Sequence, residues 1–135
     1  MSSFSKLWKN YPPDNADGSH AAPSSDSYAK NQCAIRLSVS LEKSGFNLSG
    51  YTDPLTSEGY ARGAKSLADY LWREIGRPSI MSVSDFSSSM SGSRGIFFEL
   101  KATPNDTSHI DLNNYGQTGS GFYSGGVKEI WYWRM

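Results

Sequence analysis

Three short segments toward the C-terminal end set the tightest limit on the fold. Gly95-Ile96-Phe97-Phe98-Glu99-Leu100 is rich in β-branched and aromatic residues, and Glu129-Ile130-Trp131-Tyr132-Trp133 is an aromatic run. Between them, Ser108-His109-Ile110-Asp111-Leu112-Asn113 alternates polar with apolar residues. All three are strand signals, and the alternation puts His109, Asp111 and Asn113 on one strand face. Thr103-Pro104-Asn105-Asp106 is a turn, and the Gly/Ser/Thr stretch 116–126 is a loop. Helical spacing is confined to the earlier part of the chain. Helices first and then a meander of strands predicts an α+β domain.

Two of the early helices are plain. Phe4, Leu7, Trp8 and Tyr11 recur at i, i+3, i+4 and i+7, and Pro12-Pro13 ends the run. From Tyr60 to Ile75, Leu67, Leu71 and Ile75 form a stripe beside Ala64 and Ala68, with Gly76 and Pro78 as stop signals. Residues 12–30 and 47–59 read as loops, the first exposed and holding His20. Residues 79–94 are Ser-rich and predict no more than a short turn around Val83 to Phe86.

The segment Asn31 to Phe46 contains the single cysteine, Cys33, and supports two readings. Ile35, Leu37, Val39 and Leu41 alternate with Arg36, Ser38, Ser40 and Glu42, which is strand periodicity. Asn31 as a cap and Gly45 as a terminator speak for a helix. In a helix, Cys33 would sit in the first turn, where unpaired N–H groups and the positive dipole end favour a thiolate.

Composition excludes several function classes. A chain of 135 residues is long enough for one domain, 1–135, with a real core. Thirteen basic residues balance thirteen acidic ones and are scattered, so neither nucleic acid nor membrane insertion is expected. A lone cysteine forms no internal disulfide. No charged-then-apolar leader opens the sequence, which predicts a protein made in the cytoplasm without a signal peptide. Metal-site spacings and a phosphate-binding glycine loop are lacking, so no cofactor is expected.

Nucleophilic catalysis needs a thiol, an imidazole and a group that holds the imidazole. Of the two histidines, His109 lies on a strand with polar same-face neighbours and His20 in a loop. Cys33 and His109 would fit a papain-like arrangement, with the Cys33 and Ala34 N–H groups as an oxyanion site. The residues alone leave a second reading open: a lone cysteine is commonly a small buried apolar group, and a strand histidine a satisfied polar one.

At Asn31-Gln32-Cys33-Ala34-Ile35-Arg36-Leu37-Ser38 the sequence resembles the type VI secretion amidase effectors of the fourth family. Further counterparts are Phe4 and Trp8, the Leu67 to Trp72 helix before Gly76-Arg77-Pro78, Arg94 to Phe98, His109 to Leu112, and Glu129 to Trp133. The resemblance implies a papain-like amidase fold, with N-terminal helices on a mainly antiparallel sheet, and a helix at Cys33. It implies a peptidoglycan amidase delivered into the periplasm of a rival bacterium. Such an enzyme would cut the stem peptide between D-glutamate and meso-diaminopimelate and be held by a cognate immunity protein. Cys33 maps to the nucleophile and His109 to the base. The family commonly places an acidic third residue after the histidine, yet no Asp or Glu lies between Asp111 and Glu129. Asp111 is the first candidate for that role, with Asn113 and Gln117 behind it. Loss of the acidic group would instead suit a non-catalytic or weakened amidase-fold module that binds cell-wall peptide or a protein partner. A papain-like hydrolase acting on protein amides is a third possibility.

Overall fold

The computed structural model describes residues 3–12, 33–53, 55, 59–61, 63–102 and 108–135. Apart from Pro12, the loop expected at 12–30 with its His20 lies outside them. So do the Asn31 cap and the turn at 103–106.

Ten elements follow in order: helices α1 (Ser3–Asn10), α2 (Cys33–Lys43) and α3 (Ala64–Glu74), strand β1 (Ser79–Met81), helix α4 (Val83–Ser89), a 3-10 turn (Met90–Gly92), and strands β2 (Arg94–Lys101), β3 (His109–Asn114), β4 (Gln117–Thr118) and β5 (Val127–Arg134). The strands form one sheet in the order β1-β5-β2-β3-β4, with every neighbouring pair antiparallel. It is therefore not a simple meander. β2, β3 and β4 follow one another, but β5 returns to the far side of β2 and takes β1 as its outer neighbour.

Both faces of the sheet are covered. Ile96, Phe98, Ile110, Leu112, Trp131 and Trp133 pack with Phe4, Leu7, Leu37, Leu41, Leu67 and Leu71 from the three N-terminal helices. On the other face, Phe86 of α4 packs with Phe97, Ile130 and Tyr132. Burial on two sides explains why Ile96-Phe97-Phe98 and Trp131-Tyr132-Trp133 are bulky at successive positions.

α2 is buried all round, and this resolves its ambiguous pattern in favour of a helix. Cys33 through Leu41 are all buried, including Arg36, Ser38 and Ser40. A helix enclosed on every side has no polar stripe to reveal its period. Its small polar residues are satisfied internally: Ser38 Oγ donates to Ala34 O at 2.8 Å and accepts the Ala61 N–H at 3.1 Å. The helix ends with Gly45 at φ +94°, the Phe46 N–H on Leu41 O and the Gly45 N–H on Glu42 O.

Two expectations shift. The helix expected from Tyr60 begins at Ala64, because Ala61 is held extended by a bridge to Leu55 and by Ser38. The Ser-rich stretch 79–94 is structured, carrying β1, α4 and the 3-10 turn. Ser82 caps α4 by accepting the Asp85 N–H at 3.1 Å, in a Ser-x-x-Asp arrangement. Among the described residues no helix is long and apolar enough to cross a membrane.

Candidate active site

The site forms where the first turn of α2 meets the His109 end of β3, for α2 packs on β3. β4 pairs only with Asn113 and Asn114, so the rest of that edge is bordered by the loop following β4. Cys33 is the first residue of α2, and N–H groups in a first helical turn have no intrahelical acceptor. Cys33 is 5% exposed, and His109 and Asp111 are 7% and 0% exposed.

The imidazole contacts both candidate partners. His109 Nε2 lies 3.2 Å from Asp111 Oδ2 and 2.9 Å from Gly121 O, two acceptors that fix a proton on Nε2. Nδ1 is the nitrogen left to face Cys33, whose side chain is one of the groups that raise the ring. Burial by itself would push the imidazole down. The hydrogen bonds to Asp111 and Cys33, with the negative charge on both, outweigh it and raise His109 from 6.5 to about 10.

Asp111 is clamped from several directions. Oδ1 accepts the Leu112 N–H at 2.7 Å, while Oδ2 accepts the N–H groups of Ser120 at 2.6 Å and Gly121 at 2.9 Å. Side chains at i and i+2 on a strand share a face without having to touch. Here the clamp brings the carboxylate onto the ring. Asn113 is occupied elsewhere: its amide donates to Met90 O, Ser93 O and Tyr132 Oη, and its oxygen accepts the Gly116 N–H. Gln117 is exposed on β4, opposite Asn114. Of the three candidates, Asp111 alone has a hydrogen bond to His109 among the described residues.

Several residues beyond the expected site residues border the site. Arg36, one turn beyond Cys33, is buried and donates through Nη1 to Ser120 Oγ at 2.7 Å and through Nε to Pro12 O at 3.0 Å. Its guanidinium lies 4.9 Å from the Tyr11 ring centroid, and Tyr11 Oη is 2.6 Å from Ser120 Oγ. Arg36 thus ties the end of α1 to the loop that clamps Asp111. Burial, and then the Asp111 charge, raise the Tyr11 phenol well above its ordinary value. Tyr123 sets its ring edge-on to His109 at 5.0 Å. Glu99, directly opposite His109 in the β2–β3 ladder, is wholly buried. The available signals were an arginine inside an apolar run and a glutamate inside a strand of bulky apolar residues. A cavity of about 260 Å³ lined by Trp8, Tyr11, Pro12, Thr118 and Gly119 borders the same loop. Among the described residues no cluster of three or more His, Cys, Asp or Glu is placed to hold a metal ion.

The profile of Tae4, the type VI secretion system (T6SS) amidase effector protein 4, matches residues 29–133. The chain belongs to the Tae4 family. No curated protein matches it. The fold is similar to that of the type VI effector Tae4 from Enterobacter cloacae, with a TM-score of 0.68 at 19% identity over 98% of this chain and 93% of that one. It is also similar to the Tae4–Tai4 effector–immunity complex from Enterobacter cloacae (TM-score 0.62, 21% identity, 78% of this chain and 74% of that one). A further match is the Tae4/Tai4 effector–immunity system of Salmonella typhimurium (TM-score 0.60, 21% identity, 96% of this chain and 92% of that one). In this Tae4 member the stretch after β3 carries no carboxylate, and its backbone at Ser120 and Gly121 instead donates to Asp111.

Proposed function

We propose that this amidase effector is a cysteine peptidoglycan amidase of the DL-endopeptidase type, cutting the stem peptide between D-glutamate and meso-diaminopimelate. The observation that carries the reading is the meeting of Cys33, at the start of α2, with a buried His109 that is held by Asp111, in a Tae4 family member. Cys33 sulfur attacks the amide carbonyl carbon, and the Cys33 and Ala34 N–H groups receive the negative charge on oxygen. The C–N bond then breaks as His109 gives its proton to the departing diaminopimelate amine. A water molecule, losing a proton to His109, attacks the thioester and releases the D-glutamate carboxylate and the thiol. Asp111 keeps the proton on Nε2 and balances the imidazolium.

The effector–immunity pairing of the solved relatives supports a cognate immunity protein as the partner. Delivery by the type VI apparatus supports action in the periplasm of the target cell. The test is digestion of purified Gram-negative sacculi followed by mass spectrometry of the fragments. Wild-type protein should release cleaved stem peptides, and Cys33→Ala should lower the rate by about a thousandfold or more. Intact sacculi, or undiminished cleavage by Cys33→Ala, would refute the reading.

A further inference from the structure

We propose that Glu99 is a positioning residue for His109, a second buried carboxylate that supports the imidazolium across the β2–β3 ladder and anchors the loop walling it. The proposal rests on the reading of His109 as the acid–base group. Glu99 and His109 are paired residues of neighbouring antiparallel strands, so their side chains leave the same face side by side. Glu99 is 0% exposed, and both its oxygens face the single N–H of Tyr123, at 3.2 and 3.3 Å. Tyr123 in turn stands against the imidazole and donates its hydroxyl to Ser120 O at 3.0 Å. The loop over the base is therefore pinned twice, by Asp111 at Ser120 and Gly121 and by Glu99 at Tyr123.

Among the described residues the Glu99 carboxylate shares that one N–H, which solvates it poorly, and a buried acid so placed is costly compared with an apolar residue of similar volume. Its charge is accounted for by the ring beside it. Burial raises Glu99 from 4.5 to about 7, and the attraction of His109, the Tyr123 N–H and Lys101 keeps it from rising further. The titratable groups facing it are His109 and Asp111 on β3, Lys101 on its own strand and Tyr123 on the loop, with Cys33 beyond the ring. Lys101 Nζ is engaged by the carbonyls of Tyr123 and Gly125 at 3.2 and 2.9 Å. The negative charge is thus present above about pH 7 and withdrawn below it.

The experiment follows His109 by NMR across pH in wild type and in Glu99→Gln. Wild type should show an extra inflection in the His109 signal near pH 7, absent from the variant. The variant's His109 midpoint should be lower by about one unit. Equal midpoints, or an inflection near pH 7 kept in the variant, would overturn the proposal and leave Glu99 only a loop anchor. If the variant does not fold, the wild-type inflection decides by itself, and its absence counts against the proposal. Failure of wild type on sacculi would refute the proposed function instead, while the titration still decides the role of Glu99.

Discussion

Gly119 has no room for a side chain. A Cβ there would stand 2.6 Å from Asp111 Oδ1 and 2.6 and 2.8 Å from the Tyr11 ring. Neither neighbour can yield, since Asp111 is held by three backbone N–H groups and Tyr11 is packed between Arg36 and Ser120. Gly119→Ala should cost about 1–3 kcal/mol in urea unfolding and depress sacculus digestion more than stability, because the displaced carboxylate holds His109 through its other oxygen, Oδ2. Wild-type digestion by the variant would contradict this. A second prediction concerns the ring itself. Cys33 is one of the groups that raise His109 to about 10, so Cys33→Ala should lower its NMR midpoint. An unchanged midpoint would mean that thiol and imidazole do not interact.

At the scale of elements, helix α2 shows how burial conceals a pattern. Its thiol-bearing end must meet β3, and its remaining length is enclosed by α1, α3 and the sheet. Arg36 survives there because it is hydrogen-bonded to Pro12 O just past α1 and to Ser120 Oγ on the neighbouring loop. Helix α4 is the opposite case, short and mostly exposed, and it depends on local chemistry. Phe86 anchors it under Phe97 and Tyr132, and Ser82 caps it. Ser82→Ala should cost about 1 kcal/mol in urea unfolding and leave sacculus digestion unchanged. A loss of activity with unchanged stability would assign Ser82 a role beyond capping.

For the whole molecule, the two buried titrating groups of the site act in the same direction. Glu99 is raised from 4.5 to about 7, so the folded state keeps a proton that the unfolded chain has lost, and stability falls as pH rises across that range. His109 is raised from 6.5 to about 10, so its contribution is complete below 6.5 and is lost as pH rises through 10. Thermal unfolding should therefore occur at a higher temperature at pH 5 than at pH 9. Equal or greater stability at pH 9 would contradict the placement of both groups.

Much of this protein is local in origin and so was readable from the chain. Gly95 to Leu100, His109 to Asn113 and Glu129 to Trp133 lie within strands, and the stripe of Leu67 and Leu71 lies on a helix, because side-chain size and spacing act within a few residues. The residues resembling the amidase effectors lie within the stretch that the family profile matches, apart from Phe4 and Trp8 before it. What local pattern could not determine is which distant groups meet. The return of β5 between β1 and β2, the contact of Asp111 with His109 and the pairing of Glu99 opposite it all depend on register and loop closure. Those are set by packing between residues far apart in the chain. The chain alone could offer Cys33 and His109 as candidates, but only the tertiary structure decided which carboxylates surround that imidazole, because the loop N–H groups that aim Asp111 come from nine and ten residues away.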